Sequence, residues 1–319
     1  MNKQELIDKV SFVLDENGHR ELQLYGFVSG NDNPFRIGIA PELEHQLIEV
    51  IAAGVKTLIV DKDYEIVNFS TADERKNRYY QYDLDETPER MVNMSLVIGN
   101  HNVEMFDLNA HSITEINTLI VLLSDGAGRT FTVYKFLSPV EKMVKSTKMI
   151  LAKFGIGDDV LTEESQPLLR IGPRFQIVFT DDTYVFLESS TVESQFDLHQ
   201  VLNNQATRDL GIIENTHLLK DIAKLQQYTE KTSFSKKLVG VMKSSKVIKD
   251  NISKDRIFEF ISNDEELRGE LKFVEVDGER FIDITSQKSA KRFLDLLNDE
   301  FVYSSLTGQK YQAVDKDER

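Results

Sequence analysis

Cysteine is absent from this chain of 319 residues. Without thiols there can be no disulfide, no thiolate nucleophile and no cysteine zinc site, and the composition fits a reducing cytoplasm. The six histidines are widely scattered, and none stands four residues from another, so a histidine metal site would require tertiary convergence. Low-complexity tracts are also missing. With 40% apolar and 9% aromatic residues, we expect an ordinary folded protein.

Long apolar runs are missing as well. The most apolar stretch, residues 116–123 (INTLIVLL), is far shorter than the ~20 residues that a helix needs to cross a bilayer. The first ten residues alternate charged and apolar side chains and lack the continuous apolar core of a signal peptide. We therefore expect a cytoplasmic protein without direct membrane insertion, which would reach a membrane only through another protein.

Positive charge is in short supply, with 38 basic residues against 53 acidic ones and a net charge of −15. Residues 220–256 reverse this balance, because they hold ten basic and four acidic residues. That segment carries +6, which leaves −21 on the remainder of the chain. A local cationic surface on an anionic body suits a polyanion that is held at one place only.

The basic segment has the spacing of an amphipathic helix. Its apolar residues at 238, 241, 242, 248 and 252 fall on one stripe, and its lysines fall away from that stripe. We predict a packed helix that offers lysines outward to phosphate groups, with a merely solvated helix face as the alternative. The candidate contacts are Lys231, Lys236, Lys237, Lys243 and Lys246.

A second basic patch lies on an amphipathic helix predicted at residues 139–154. Lys142, Lys145 and Lys148 recur every three residues there and can share one face, so they are the second choice for phosphate contact. Contacts of this kind to DNA would be mainly to the backbone, sensitive to salt and little concerned with base sequence.

A glycine-rich turn at residues 126–128 (Gly-Ala-Gly) follows an apolar strand and resembles a phosphate-binding loop. The next residues predict a second strand rather than a helix, and no Lys-Ser/Thr pair completes the loop motif. We therefore predict a hairpin turn.

Glu270 and Lys272, with Asp255 or Asp264 upstream, loosely imitate the site of a metal-dependent nuclease. In such a site two carboxylates hold Mg²⁺ beside a phosphate, and a lysine orients the attacking water. This spacing arises easily by chance in so charged a chain. We expect no catalytic residues, no cofactor and no metal.

Strands and helices follow one another without the regular alternation of a parallel α/β sheet, which predicts an α+β fold. The length favours two domains, placed at residues 1–155 and 156–319, the second with hairpins and a mostly helical remainder. Hairpins are expected across residues 125–129, 180–182 and 277–278. Helices are expected at residues 3–14, 41–53, 88–98, 139–154, 191–203, 215–228, 235–249, 254–262 and 286–298.

The C-terminal half carries a more specific signal. Residues 184–196 (YVFLESSTVESQF) combine a strand, a short break and a Glu-x-x-Phe helix start, and residues 293–311 (FLDLLNDEFVYSSLTGQKY) form a distinctive ending. Both resemble the KwaB family of the bacterial Kiwa antiphage system. The resemblance extends from residue 175 to the C-terminus, whereas the N-terminal half resembles the family only in layout and length. Val192 departs from it, since an aromatic residue is expected there.

The resemblance implies a cytoplasmic defence protein that is recruited to the inner face of the membrane by a KwaA-like transmembrane protein. It also implies a homodimer that binds DNA and restrains phage DNA replication or expression. It brings no set of catalytic residues. Two other hypotheses stay open, a Mg²⁺-dependent nuclease that uses Glu270 and Lys272, and a non-catalytic subunit whose basic face docks on the membrane partner or on anionic lipid.

Overall fold

The computed structural model describes residues 1–31, 33–71, 77–98, 102–143, 151–154, 161–164, 167–303 and 310–312. The chain forms two compact units. Unit 1 comprises Met1–Val67, Arg75–Tyr82 and Thr87–Phe196, and unit 2 comprises Asn68–Glu74, Asp83–Glu86 and Asp197–Arg319. Strands and helices are mixed without a βαβ pattern, so the predicted α+β class is confirmed.

Unit 1 is built on an eight-stranded sheet. Its order is β2-β1-β5-β6-β11-β12-β4-β3, and the pairs from β2 to β4 are antiparallel. Two small pairs, β7–β10 and β8–β9, lie outside this sheet. The strands are β1 (Glu21–Val28), β2 (Phe35–Ile37), β3 (Glu65–Asn68), β4 (Arg78–Gln81), β5 (Ile116–Ser124), β6 (Thr130–Phe136), β7 (Lys142–Met143), β8 (Ala152–Phe154), β9 (Leu161–Glu163), β10 (Leu168–Leu169), β11 (Ile177–Thr180) and β12 (Thr183–Phe186).

The core of unit 1 follows from the apolar pattern of these strands. The run in β5 is buried along almost its whole length, as expected of a central strand covered on both faces. On one face Val121 and Val133 pack with Leu6 and Ile51. On the other, the Tyr184 hydroxyl donates a hydrogen bond to the Met91 carbonyl at 2.5 Å. The helices are α1 (Lys3–Leu14), α2 (Pro41–Val55), which continues as a π-helical turn (Lys56–Val60), α3 (Glu89–Ser95) and α4 (Ser189–Gln195).

Unit 2 is mostly helical. Helix α7 packs against α5, α11 and the 3₁₀ turn Phe69–Thr71, which comes from the N-terminal half of the sequence. The helices are α5 (Leu198–Glu214), α6 (Ala223–Gln226), α7 (Thr232–Ser244), α8 (Lys246–Lys249), α9 (Lys254–Asn263), α10 (Glu265–Glu270) and α11 (Gln287–Leu297). The strands are β13 (Lys272–Val276), β14 (Glu279–Asp283), β15 (Phe301–Tyr303) and β16 (Lys310–Gln312), which pair as two hairpins.

The predicted helix at residues 139–154 is wrong wherever the structure describes it. Lys142 and Met143 form β7, which pairs with β10, and residues 152–154 form β8. The turn before β7 is held by Glu141, whose side chain accepts hydrogen bonds from the backbone and hydroxyl of Ser138 at 2.8 Å. Strand pairing therefore overrides the helical pattern of the sequence. Residues 144–150 lie outside the described residues.

The helix predicted at 88–98 is shorter, since α3 ends at Ser95, and three other predicted helices are interrupted or begin later. Asp197 has a positive φ of 49° between α4 and α5, so the predicted helix at 191–203 is broken. Residues 215–222 are not helical, because Leu218 and Lys220 bond to the backbone of Ile282. Ser245 separates α7 from α8, where its side chain accepts a hydrogen bond from the Ile248 backbone.

The predicted domain boundary between residues 155 and 156 does not coincide with the division between the units. Strands β11 and β12 pair with β6 and β4 in the large sheet, so unit 1 continues to Phe196.

Candidate polyanion-binding surface

Helix α7 carries two polar flanks, and the first contains Lys236 and Lys243. These lysines are seven residues apart, so they lie on one side of the helix two turns apart. Lys236 Nζ lies 4.5 Å from the centre of the Phe69 ring. Lys243 Nζ lies 3.2 Å from Asp85 Oδ1 and 3.8 Å from Asp83 Oδ2. This flank therefore faces the two pieces of the N-terminal half that belong to unit 2.

The second flank contains Lys237, which forms ion pairs with Asp295 of α11 and, at 3.6 Å, with Glu300. Both carboxylate side chains are only 8% exposed. Burial raises the pKa of Asp295, and the ammonium group of Lys237 acts in the opposite direction. Lys237 thus compensates two buried carboxylates, which is a structural role.

The predicted outward face of lysines is present only in part. Lys231, just before α7, and Lys246, at the start of α8, are exposed, whereas Lys236, Lys237 and Lys243 are half-buried. Lys231 Nζ donates a hydrogen bond to Gln287 Oε1 at 3.0 Å. A helical wheel shows which side of a helix is apolar, but it cannot show which neighbours cover the polar flanks.

An acidic segment, Asp83–Glu86, lies against the first flank of α7 and against α5. The amide of Gln205 donates to Asp85 Oδ2 at 3.0 Å, and its oxygen accepts from the Asp85 backbone at 3.2 Å. Arg208 Nη1 lies 3.2 Å from Glu86 Oε2. The sequence shows the acidic run itself, but these partners lie more than a hundred residues further along the chain.

Asp209 is the buried acid of this cluster, with 8% of its surface exposed. Burial, followed by the nearby Asp85 carboxylate, raises its pKa to about 6, while Lys243 and Arg208 act in the opposite direction. Its Oδ2 atom is buried and has no hydrogen-bond partner among the residues that the structure describes. Sequence reasoning missed this group, because a single Asp in a helix gives no sign of its burial.

The second predicted patch is described only at Lys142. Its side chain is half-buried on β7, and Nζ donates a hydrogen bond to the Thr114 carbonyl at 2.8 Å. Lys145 and Lys148 lie outside the described residues.

The nuclease-like residues do not form an open metal site. Glu270 Oε1 lies 2.7 Å from Lys288 Nζ, and its Oε2 lies 2.5 Å from Arg292 Nε. The hydrogen bond from Arg292, followed by that from Lys288, lowers the pKa of Glu270. Asp264 instead caps α10 by accepting from the Leu267 backbone at 2.9 Å. Within the described ranges, no three His, Asp or Glu residues are arranged to hold a metal ion.

The sequence of the chain matches one family model and one curated protein. Residues 113–307 match the family model described as Kiwa protein KwaB-like. Over 328 aligned residues the chain is 24% identical to Kiwa protein KwaB of Escherichia coli O55:H7 (strain RM12579 / EPEC), with 99% of each chain covered. No solved structure gives a significant match.

This homology supports a role in an antiphage defence system. The family model covers well over half of the chain, and the chain belongs to the Kiwa KwaB-like family. None of the helices in the described part of the chain has both the length and the apolar character that crossing a membrane requires.

Proposed function

We propose that this chain is the DNA-binding effector of its antiphage system. It acts as a homodimer with a KwaA-like transmembrane protein, which recruits it to the inner face of the membrane, and it restrains phage DNA replication or expression. Membership of the Kiwa KwaB-like family supports the role in antiphage defence. The exposed lysines of unit 2 support DNA as the ligand.

The observation that carries the proposal is the exposure of Lys231 and Lys246 in a chain of net charge −15. An anionic protein repels DNA over most of its surface, so binding depends on a few local cations. Each lysine that meets a phosphate releases condensed counterions, which makes the affinity fall steeply as salt rises. Lys237 is not part of this set, because two buried carboxylates hold it.

The variant Lys231→Gln/Lys246→Gln is expected to bind a 20-base-pair duplex about tenfold more weakly than the wild type at 0.1 M salt. Two lost phosphate contacts should lower the slope of log affinity against log salt by about two. Fluorescence anisotropy across a salt series measures both quantities. Binding should be unchanged by EDTA, because no step requires a metal.

The matched control is Lys56→Gln/Lys272→Gln, which removes two exposed lysines elsewhere. It should keep most of the affinity and nearly the wild-type salt slope. Equal losses of DNA affinity in the two double variants would mean that net charge, rather than a local surface at Lys231 and Lys246, determines DNA binding. If Lys231→Glu/Lys246→Glu binds DNA normally but no longer co-purifies with the transmembrane partner, docking replaces DNA binding as the role of this face.

A further inference from the structure

We infer that the acidic segment Asp83–Glu86 is an intramolecular competitor of the polyanion. Its carboxylates pair with Lys243 and Arg208, so a phosphate can take their place on these two cations only when Asp85 and Glu86 are displaced. The inference rests on the proposed DNA binding and adds a means of regulating it.

The contacts of this segment are those that a phosphate would make. Lys243 Nζ lies 3.2 Å from a carboxylate oxygen of Asp85, and Arg208 Nη1 lies 3.2 Å from one of Glu86. Carboxylate and phosphate oxygens are interchangeable partners for ammonium and guanidinium groups. Either anion can therefore occupy the same two cations, but both cannot do so fully at once.

Exposure separates the exchangeable contacts from the permanent ones. The side chains of Asp85 and Glu86 are 66% and 52% exposed, and that of Arg208 is 52% exposed. Ion pairs with such exposure contribute about 0–1 kcal/mol each, so a closely spaced row of phosphates can outcompete them. The partners of Lys237 are only 8% exposed, and breaking that pair would leave buried carboxylate charge with weaker compensation, since Arg292 contacts Asp295 only at 3.7 Å.

Asp83 has a different role, because it anchors the segment. Its side chain is 16% exposed, and its Oδ1 accepts a hydrogen bond from the Ser70 backbone at 2.8 Å. Its backbone carbonyl also accepts a hydrogen bond from Lys243. Displacement of Asp85 and Glu86 therefore leaves the start of the segment in place, and the competing carboxylates remain close enough to return.

The test is the variant Asp85→Asn/Glu86→Gln, assayed by anisotropy with a 20-base-pair duplex at pH 7.5. We expect three- to tenfold tighter binding than the wild type and a salt slope steeper by about one to two, since Arg208 loses its carboxylate partner and Lys243 keeps only its contacts to Asp83. Asn and Gln keep the size of the original side chains, and an Asn at 85 can still accept from Gln205. Thermal melts show whether both proteins are folded.

The matched control is Glu275→Gln/Asp277→Asn, which removes two exposed acids from the β13–β14 hairpin of the same unit. It separates the local contact from the general effect of two fewer negative charges. Adding Lys243→Gln and Arg208→Gln to the test variant should abolish its gain in affinity.

The outcomes separate the two proposals. The competitor hypothesis is wrong if the wild type binds DNA with a salt-dependent affinity but the test and control variants bind with equal affinities. That outcome still supports DNA binding. Absence of duplex binding in all of these proteins overturns DNA binding itself. A gain that persists after removal of Lys243 and Arg208 also overturns the competitor, because those cations are its only means of action.

Discussion

Lys237→Met is expected to lower the free energy of unfolding by about 3 kcal/mol, because it removes the cation that two buried carboxylates share and leaves Asp295 the longer contact to Arg292, at 3.7 Å. Asp295 and Glu300 both form ion pairs with Lys237, and each side chain is 8% exposed. Burial raises the pKa of Asp295, and repulsion from the Glu300 carboxylate acts in the same direction. Methionine keeps the aliphatic length of lysine, so the loss reports the charge rather than the packing.

Urea unfolding at pH 7.5 measures this effect. Lys231→Met, which removes an exposed lysine, is the matched control and should change stability by less than about 0.5 kcal/mol. In an Asp295→Asn background the cost of Lys237→Met should shrink, since the two groups interact directly. Equal losses for Lys237→Met and Lys231→Met would contradict the structural role and return Lys237 to the candidate DNA contacts.

Features that depend on neighbouring residues were predictable from the sequence. The turn at Asp277 and Gly278 has positive φ values of 51° and 83°, the backbone geometry that this residue pair favours in a two-residue hairpin. Helices α9 and α11 lie close to the ranges predicted at residues 254–262 and 286–298, and they begin after the capping side chains of Ser253 and Ser286. The hairpin across residues 125–129 is also confirmed.

Features that depend on distant residues were not predictable. Asp83 precedes Lys243 by 160 residues, and Lys237 precedes Asp295 by 58. A window of sequence shows a run of lysines but not the carboxylates that meet it in the folded chain. The helix predicted at residues 139–154 failed for the same reason, because β10 supplies the pairing partner of β7.

The charge reversal at residues 220–256 therefore overstates the cationic surface. Among its lysines, Lys224 and Lys254 also face carboxylates, Asp283 at 2.7 Å and Glu279 at 3.6 Å. Charges that are paired within the fold attract a distant polyanion weakly, since each carboxylate cancels the field of its partner. Among the five lysines predicted on this segment for phosphate contact, exposure rather than the charge count favours Lys231 and Lys246.

Asp209→Asn is expected to stabilise the protein at pH 7.5 by about 1–3 kcal/mol. The folded pKa of Asp209 is raised to about 6 from an ordinary value of 3.8, so the folded state favours the neutral carboxyl. Its stabilising contribution is complete below pH 3.8 and is lost as the pH rises through about 6. At pH 7.5 the folded protein therefore carries a buried charged carboxylate, which asparagine replaces with a neutral group of the same shape.

Urea unfolding at pH 5.0 and 7.5 tests both the sign and the size of the change in the free energy of unfolding. The advantage of Asp209→Asn over the wild type should grow by about 1 kcal/mol between these values, because the wild type loses its bound proton over this range. Glu214→Gln neutralises an exposed carboxylate on the same helix, and its free energy of unfolding should match that of the wild type at both pH values. A variant whose stability falls below the wild type at pH 7.5 would mean that attraction to Lys243 outweighs the cost of burying the charge.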